Sequence, residues 1–225
     1  MKQDEVFFAG EGDAWFHRNQ AALGKHVDWP SRMFDMLENK ADIHDVIELG
    51  CANGWRLHGL AKTIKGQLVG VDASKEAIRD GQSRFPHLQL HHGLLTNLPI
   101  ESAFDLVIVN FVLHWIDRST LATSLAEIDR VTRDGGFLIL GDFLPDFPQR
   151  RPYHHRPEEN VYTYKQDYAC LFQTLGTYRE VARITFNHDH PTPTIEAVSS
   201  AQRAACVVLK KSLQGYYHDV GHPAG

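Results

Sequence analysis

Apolar runs rich in β-branched residues alternate with helical patterns of apolar residues through the middle of the chain. Such alternation is typical of βαβ units, which build a parallel sheet strand by strand. The predicted strands are 45–49, 67–71, 87–91, 105–110 and 137–140, and the predicted helices between them are 55–65, 74–84 and 121–131. We expect Asp134, Gly135 and Gly136 to end the third helix. The pattern predicts a doubly wound α/β fold.

The pattern changes past Gly141, where prolines, arginines, tyrosines and histidines make a long irregular segment. We predict that 143–164 is an insertion on the substrate side of the sheet, because long loops in compact domains are often functional. A helix is predicted at 167–175, followed by an antiparallel strand pair at 181–186 and 204–209. The expected whole is a mostly parallel seven-stranded sheet with helices on both faces, in a single domain over 1–225 with an N-terminal cap at 1–40.

Composition narrows the class of protein. The 225 residues are 43% hydrophobic and 23% charged, which is ordinary for a globular chain. The net charge of −5 makes nucleic acid an unexpected partner. Cys51, Cys170 and Cys206 form no Cys-x-x-Cys pair, and no secretion signal or apolar run of about 20 residues is present. We therefore expect a cytoplasmic protein without disulfides, metal or membrane contact.

A glycine-containing turn, Glu48-Leu49-Gly50-Cys51-Ala52-Asn53-Gly54, joins the first predicted strand to the first helix. The dinucleotide fingerprint G-x-G-x-x-G fails here, because Ala52 and Trp55 stand where it needs glycine. The turn resembles motif I of the class I S-adenosylmethionine-dependent methyltransferases. Ala52 replaces a glycine of many members, so its backbone is expected to avoid a positive φ.

Three further landmarks of that family follow in order. Asp72 ends the second strand, the fourth strand runs through Asn110 into His114, and Asp134-Gly135-Gly136 precedes the fifth strand. The resemblance implies a Rossmann-like methyltransferase fold with S-adenosylmethionine as cofactor and its ribose hydroxyls on Asp72. Leu94 stands where the family often has an acidic residue, so adenine is expected to rest on backbone and apolar contacts. The cofactor-binding residues so implied are Trp15, Arg18, Glu48, Gly50, Cys51, Ala52, Asn53, Gly54, Asp72, Ala73, Leu94, Leu95, Asn110 and Phe111.

The N-terminal stretch 7–19 resembles small methyltransferases associated with pseudaminic acid and surface-sugar biosynthesis. Its aromatic residues and Arg18 could close over the cofactor, with Arg18 at the methionine carboxylate. In the alternative, Trp15 and Phe16 pack on the sheet and Arg18 is a solvated charge.

Candidate catalytic residues come from two places. His114 follows the fourth strand, at the sheet edge where open α/β folds bind ligands, and could remove a proton from the acceptor; it could equally be a packed side chain. Tyr153 and His155, in the predicted insertion, are the second candidates. Clustered histidines there make poor ligands for one metal ion, and His188 and His190 are predicted to form a solvated strand tip.

The expected activity is in-line methyl transfer to an oxygen or nitrogen of a small molecule, such as a sugar or secondary metabolite. Enzymes that methylate nucleobase amines carry an Asn or Asp followed by two prolines after the fourth strand. Here Asn110 is followed by Phe111 and Val112, so methylation of a nucleobase amine is disfavoured. The oligomeric state is expected to be monomer or homodimer. The alternatives are a catalytically silent S-adenosylmethionine-binding regulatory subunit and a nicotinamide-dependent oxidoreductase.

Overall fold

A seven-stranded sheet organises the chain, in the order β3-β2-β1-β4-β5-β9-β8. The computed structural model describes residues 2–38, 40–190, 198–218 and 220–221. Strands β1 to β5 pair in parallel, and β9 runs antiparallel between β5 and β8. These strands are β1 Val46–Leu49, β2 Leu68–Asp72, β3 Gln89–His92, β4 Phe104–Asn110, β5 Thr132–Phe143, β8 Tyr178–Asn187 and β9 Arg203–Lys211. The predicted mostly parallel seven-stranded sheet is confirmed.

Helices cover both faces of the sheet, because successive side chains of a strand point to opposite faces. Val107 and Val109 of β4 pack in one apolar cluster with Ile128, whereas Leu106 and Ile108 pack in the other with Leu57. This two-sided burial explains why the strand has no polar face. The helices are α1 Gln3–Val6, α2 Gly12–Asn19, α3 Trp29–Asp35, α4 Trp55–Leu60, α5 Lys75–Arg84, α6 Leu121–Val131 and α7 Ala169–Thr174.

Several boundaries differ from the sequence prediction, and the start of β5 and the end of α4 differ most. Helix α6 ends at Val131 and β5 begins at once at Thr132, so the expectation that 134–136 ends the helix is wrong. Residues 134–136 belong to β5, and the pairing of β5 with β4 shifts in register there, between Phe104 and Leu106 of β4. Gly135 has φ +77° at this irregularity. Helix α4 is also shorter than predicted, since it stops at Leu60.

The segment 143–164 contains a hairpin, although its sequence predicts only irregular structure. Strand β6, Gln149–Pro152, pairs antiparallel with β7, Tyr162–Lys165. The hairpin forms a separate two-stranded sheet, in which β7 contacts the turn Leu113–Trp115 and the connection packs on Val6 and Phe7. Gln3 supplies part of that support, since its side chain bonds the backbone N–H and carbonyl of Tyr162 at 2.8 and 2.7 Å.

No helix among the described residues is long and apolar enough to cross a membrane. The assignment of 1–225 to a single domain stays a prediction.

Two helical glycines predict opposite responses to the same substitution. A Cβ at Gly59 in α4 would meet nothing within 4 Å, whereas a Cβ at Gly81 in α5 would lie 2.3 Å from the carbonyl oxygen of Asn53. We expect Gly59→Ala to raise the free energy of unfolding by up to about 1 kcal/mol, through helix propensity. Gly81→Ala should lower the same free energy despite that propensity, because backbone must move. Guanidinium denaturation of both variants checks this, and equal responses would contradict it.

Candidate functional site

A cavity of about 930 Å³ opens at the carboxyl ends of the parallel strands, where the strand order reverses between β1 and β4. Open α/β sheets bind their ligands at this position. Most of the predicted site residues line the cavity. Those residues are Trp15, Glu48, Gly50, Cys51, Ala52, Asp72, Ala73, Leu94, Leu95, Asn110, Phe111, His114, Tyr153 and His155.

Three predicted residues lie outside the lining. The Asn53 side chain turns away to donate a hydrogen bond to Asp80 at 2.8 Å, and Gly54 caps the start of α4. Arg18 bonds Glu11 and the Tyr153 hydroxyl, 3.0 Å away, so it is neither a lone solvated charge nor part of the cavity wall. Their cofactor contacts stay predictions.

The loop after β1 turns tightly by using left-handed backbone. Gly50 and Gly54 both have φ +78°, and Ala52 has φ +49°. The expectation that Ala52 avoids a positive φ is therefore wrong, and this conformation costs an alanine about 1 kcal/mol. A Cβ on Gly50 would lie 2.2 Å from a Val112 methyl group, so only glycine fits there. Cys51 is a buried residue of this loop. Burial raises the pKa of its thiol well above the ordinary value.

Asp72 links the loops that follow β1 and β2. One carboxylate oxygen accepts a hydrogen bond from Ala52 N at 2.7 Å, and the other accepts one from Ser74 N at 2.7 Å. Burial raises the pKa of Asp72 to about 6, although the two backbone hydrogen bonds oppose that rise. Each oxygen keeps a second lone pair for a hydroxyl donor in the cavity. The loop half of the cavity thus offers one carboxylate on an otherwise apolar wall. We use this name for Gly50, Cys51, Ala52, Asp72, Ala73, Leu94 and Leu95.

Glu48 lies beneath this loop with one of its oxygens unpartnered. Arg56 bonds Oε1 of Glu48 and also bonds Asp28 at 2.7 Å, but Oε2 of Glu48 has no hydrogen-bond partner among the described residues. Burial raises the pKa of Glu48, against the effect of Arg56. Glu48 lines the cavity as a residue, and a buried carboxylate oxygen without a partner suits a cationic ligand group that reaches it.

His114 forms a buried pair with Asp142. His114 Nδ1 lies 2.9 Å from Asp142 Oδ1, and that carboxylate also accepts hydrogen bonds from the backbone N–H of His114 and Phe143, at 3.3 and 2.8 Å. A carboxylate at Nδ1 places the proton of a neutral imidazole there, which leaves Nε2 as the basic atom. Both side chains are about 3% exposed, so the pair is shielded from water. The sequence prediction missed Asp142, whose only local signal is its place after Gly141 at the end of a strand.

Aromatic side chains from β4, β5 and β8 surround this pair. Phe143 packs edge-on to Phe111 at 5.4 Å and to His114 at 5.1 Å between ring centroids. His188 is exposed, as predicted for a strand tip, yet its ring packs 4.7 Å from Phe111 and 4.8 Å from Phe143. We call Phe111, His114, Phe143, Lys165, Phe186 and His188 the aromatic half of the cavity.

Tyr153 joins a buried ionic cluster rather than acting as a free hydroxyl. Its hydroxyl donates a hydrogen bond to Glu11 at 2.9 Å, and burial together with Glu11 raises the pKa of Tyr153. The group keeps its proton near neutral pH, which does not suit a general base. His155 lies exposed at the rim, where partial desolvation and the Arg18 cation lower its pKa. The Glu11 cluster, consisting of Glu11, Arg18, Tyr153 and Arg156, joins the N-terminal helices to the hairpin.

The Glu11 cluster predicts a pH-dependent stability. Burial alone would raise the pKa of Glu11, but hydrogen bonds from Arg156, Arg18 and Tyr153 hold it below its ordinary value of 4.5. Its stabilising contribution is therefore complete above that value and is lost as pH falls through the lowered pKa. We expect Glu11→Gln to lower the free energy of unfolding by about 2 kcal/mol near neutral pH and by less at a pH well below 4.5, where Glu11 begins to take up a proton.

The matched control is Glu159→Gln, which removes an exposed carboxylate that pairs only with Arg156. We expect a change below about 0.5 kcal/mol for this exposed pair. Urea denaturation at both pH values measures the two variants. A Glu11→Gln effect that does not change with pH would contradict the assignment.

The chain is similar in sequence to methyltransferases. Residues 46–136 match the family model described as a methyltransferase domain. A probable S-adenosylmethionine-dependent methyltransferase of Mycolicibacterium smegmatis is 27% identical over 172 residues, which are 74% of this chain and 59% of the relative. The chain spans between 41% and 59% of the length of the first curated relatives that it matches.

Solved structures share the fold at low sequence identity. The 1,6-didemethyltoxoflavin-N1-methyltransferase of Burkholderia thailandensis, solved with 1,6-didemethyltoxoflavin and S-adenosylhomocysteine, gives a TM-score of 0.68 at 12% identity, over 92% of this chain and 88% of that chain. The N-methyltransferase NodS of Bradyrhizobium japonicum gives 0.54 at 18% identity, over 75% and 78%. The segment 46–136 is therefore similar to methyltransferase domains, and the chain shares its α/β fold with solved S-adenosylmethionine-dependent methyltransferases.

Proposed function

We propose that the protein transfers a methyl group from S-adenosylmethionine to an oxygen or nitrogen of a small molecule, with His114 as the general base. One observation carries the proposal: a single cavity joins the loop half, with Asp72, to the buried His114–Asp142 pair. The cofactor supplies a methyl group already activated by its sulfonium. The chain's own residues then have to position the acceptor and manage its proton.

The residues of the loop half fit the cofactor in charge and shape. The free lone pairs of Asp72 suit two ribose hydroxyls, and the unpartnered Oε2 of Glu48 suits an ammonium group. Leu94 and Leu95 offer apolar surface for an adenine ring. Gly50 lets backbone approach the ligand where a side chain would collide with Val112. Arg18 contributes to closure through the Glu11 cluster rather than through a direct contact.

His114 is set up to accept a proton at Nε2. Asp142 holds the ring orientation through Nδ1 and stabilises the imidazolium that forms when an acceptor hydroxyl or ammonium gives up its proton. Burial of the pair keeps water from competing for this site. Tyr153 and His155, the other predicted catalytic residues, line the same cavity and remain candidates for acceptor contacts rather than for proton removal.

The walls of the cavity favour a small acceptor. The N-terminal helices and the hairpin enclose the side opposite the sheet, held together by Gln3 and the Glu11 cluster. A cavity lined partly by aromatic rings suits a compact ring system. The solved methyltransferase of Burkholderia thailandensis that shares the fold holds 1,6-didemethyltoxoflavin. A sugar acceptor, which the resemblance of 7–19 suggests, stays a prediction.

The alternatives make different use of the same fold. A silent S-adenosylmethionine-binding subunit would have no use for a buried His114–Asp142 pair facing the cavity. A nicotinamide-dependent oxidoreductase would need room at position 52 for close backbone approach to a pyrophosphate, which Ala52 reduces. Turnover with an acceptor distinguishes the proposal from the silent subunit. Binding of S-adenosylhomocysteine rather than NADH distinguishes it from the oxidoreductase.

Cofactor binding should depend on pH through Asp72. Hydroxyl donors favour the ionised carboxylate, and the pKa of Asp72 in the free protein is about 6. The affinity for S-adenosylhomocysteine is therefore expected to rise as pH increases through that value and to level off above it. Asp72→Asn should weaken binding at least about tenfold and remove the part of this pH dependence that Asp72 contributes, leaving the part from Glu48, whose pKa burial raises to about 7.

Calorimetry should show one site for S-adenosylhomocysteine and no comparable site for NADH. Absence of S-adenosylhomocysteine binding, or unchanged binding by Asp72→Asn, would refute the cofactor assignment. Tight NADH binding would favour the oxidoreductase instead.

The proton-transfer role is tested once an acceptor is found by mass spectrometry, as a gain of one methylene. We expect His114→Asn and Asp142→Asn each to lower kcat by about 10² to 10⁴ while S-adenosylhomocysteine affinity stays unchanged. His58→Asn is the matched control, because His58 is an exposed histidine outside the cavity. Full turnover by His114→Asn from about pH 6 to pH 9 would show that no histidine base is needed.

A further inference from the structure

The aromatic half contains a buried lysine that the proposed chemistry leaves unused. Lys165 is the last residue of β7, is only 9% exposed and lines the cavity. Fully desolvated ammonium groups are costly unless they are paired. The partners of Lys165 therefore show what the site is built to hold.

The contacts of Lys165 leave donor capacity open. Its Nζ donates to the carbonyl of Ala201 at 3.2 Å and lies 3.6 Å from the centre of the Phe143 ring. An ammonium group carries three N–H donors, so these contacts do not use all of them. Among the residues that the structure describes, no carboxylate comes within ion-pair distance of this ammonium.

A second buried lysine shows the usual arrangement. Lys211 is 6% exposed, and its Nζ lies 2.8 Å from the carboxylate of Asp129. The same nitrogen donates to the carbonyls of Asp129 and Thr132, at 2.7 and 3.0 Å. All three donors of Lys211 are thus used outside the cavity. The contrast indicates that Lys165 lacks a partner that a ligand would supply.

Asp142 and Asp189, the two carboxylates whose charges act on Lys165, form hydrogen bonds with other groups. Asp142 accepts from His114 and from backbone N–H groups, and Asp189 accepts from the Gln202 amide at 3.1 Å. Burial and the nearby Arg151 lower the pKa of Lys165, and the two carboxylates only partly oppose this. An anion entering the cavity would find a cation without a competing counterion.

Aromatic surface surrounds the ammonium. Phe143 contacts both Lys165 and Phe111, and Phe186 lies 6.5 Å from Phe111 between ring centroids. Phe111 also has φ +55°, a strained conformation for a residue with a side chain. Strain of this kind persists where a side chain must be held at a binding site.

We propose that the aromatic half binds a small molecule with an anionic group, a carboxylate or phosphate, that pairs with Lys165 while its ring lies against Phe111 and Phe143. The inference that this molecule is the methyl acceptor rests on the proposed function. His114 and Lys165 contact the same Phe143 ring, so a molecule held by Lys165 lies close to the base. The anionic group is recognised rather than methylated, and the reacting hydroxyl or amine is a separate group next to His114.

The test uses 4-hydroxybenzoate as the anionic probe and 4-hydroxybenzamide as its neutral isostere. Both are titrated by NMR into the protein saturated with S-adenosylhomocysteine, and again into the free protein. Phenyl phosphate in the same titration distinguishes phosphate from carboxylate recognition. The variants are Lys165→Met, Lys165→Arg and the control Lys210→Met. Lys210 also lies over a phenylalanine ring, with Nζ 3.9 Å from the centre of Phe137, but is outside the cavity.

We expect at least one of the two anions to bind about tenfold or more tightly than the amide. Lys165→Met should remove that preference, Lys165→Arg should keep most of it, and Lys210→Met should leave it unchanged. Equal binding of anions and amide, no anion binding, or an unaltered preference in Lys165→Met would overturn the inference. Failure of S-adenosylhomocysteine to bind would instead refute the proposed function, while the titration of the free protein still decides the role of Lys165.

Discussion

Close backbone packing at the carboxyl ends of β1 and β2 is the constraint on which the site depends. Three glycines around this point, in the loop after β1, in β2 and in α5, have no space for a side chain. A Cβ on Gly50 would meet Val112 at 2.2 Å, on Gly70 the Cys51 sulfur at 2.6 Å, and on Gly81 the Asn53 carbonyl at 2.3 Å. This packing brings the loop after β1 within hydrogen-bond distance of Asp72. The left-handed backbone of Ala52 is held by the same contacts, which outweigh its local strain.

The site residues that the sequence predicts best are those that follow a strand. Asp72, Asn110 and His114 each come directly after an apolar run, and parallel strands bring such positions to one edge. Ligand-facing positions can thus be derived from local pattern alone when the sheet is parallel. These positions lie next to the cavity, where the strand order reverses between β1 and β4.

Residues that reach the site through distant pairing gave no such signal. Glu11 meets Tyr153 across 142 positions of the chain, and Gln3 meets Tyr162 across 159. Lys165 lies in a strand without apolar alternation, which belongs to a two-stranded sheet separate from the main one. A buried charge cannot be recognised from sequence when its partner, or the lack of one, is decided by tertiary structure.

The loop half of the cavity lies within one segment of the chain, whereas the aromatic half combines Phe111 and His114 of that segment with residues that follow it. The methyltransferase match ends at residue 136, and the loop half lies wholly before that point. Asp142, Phe143, Lys165 and Phe186 all come after it, on strand ends and on the hairpin. Changes in the length or composition of the β6–β7 hairpin, which supplies Lys165, can therefore reshape the aromatic half while the packed glycines at the loop half stay as they are. A chain of this design can diverge in ligand preference by exchanging a hairpin, and grafting that hairpin between relatives is a direct route to altered selectivity.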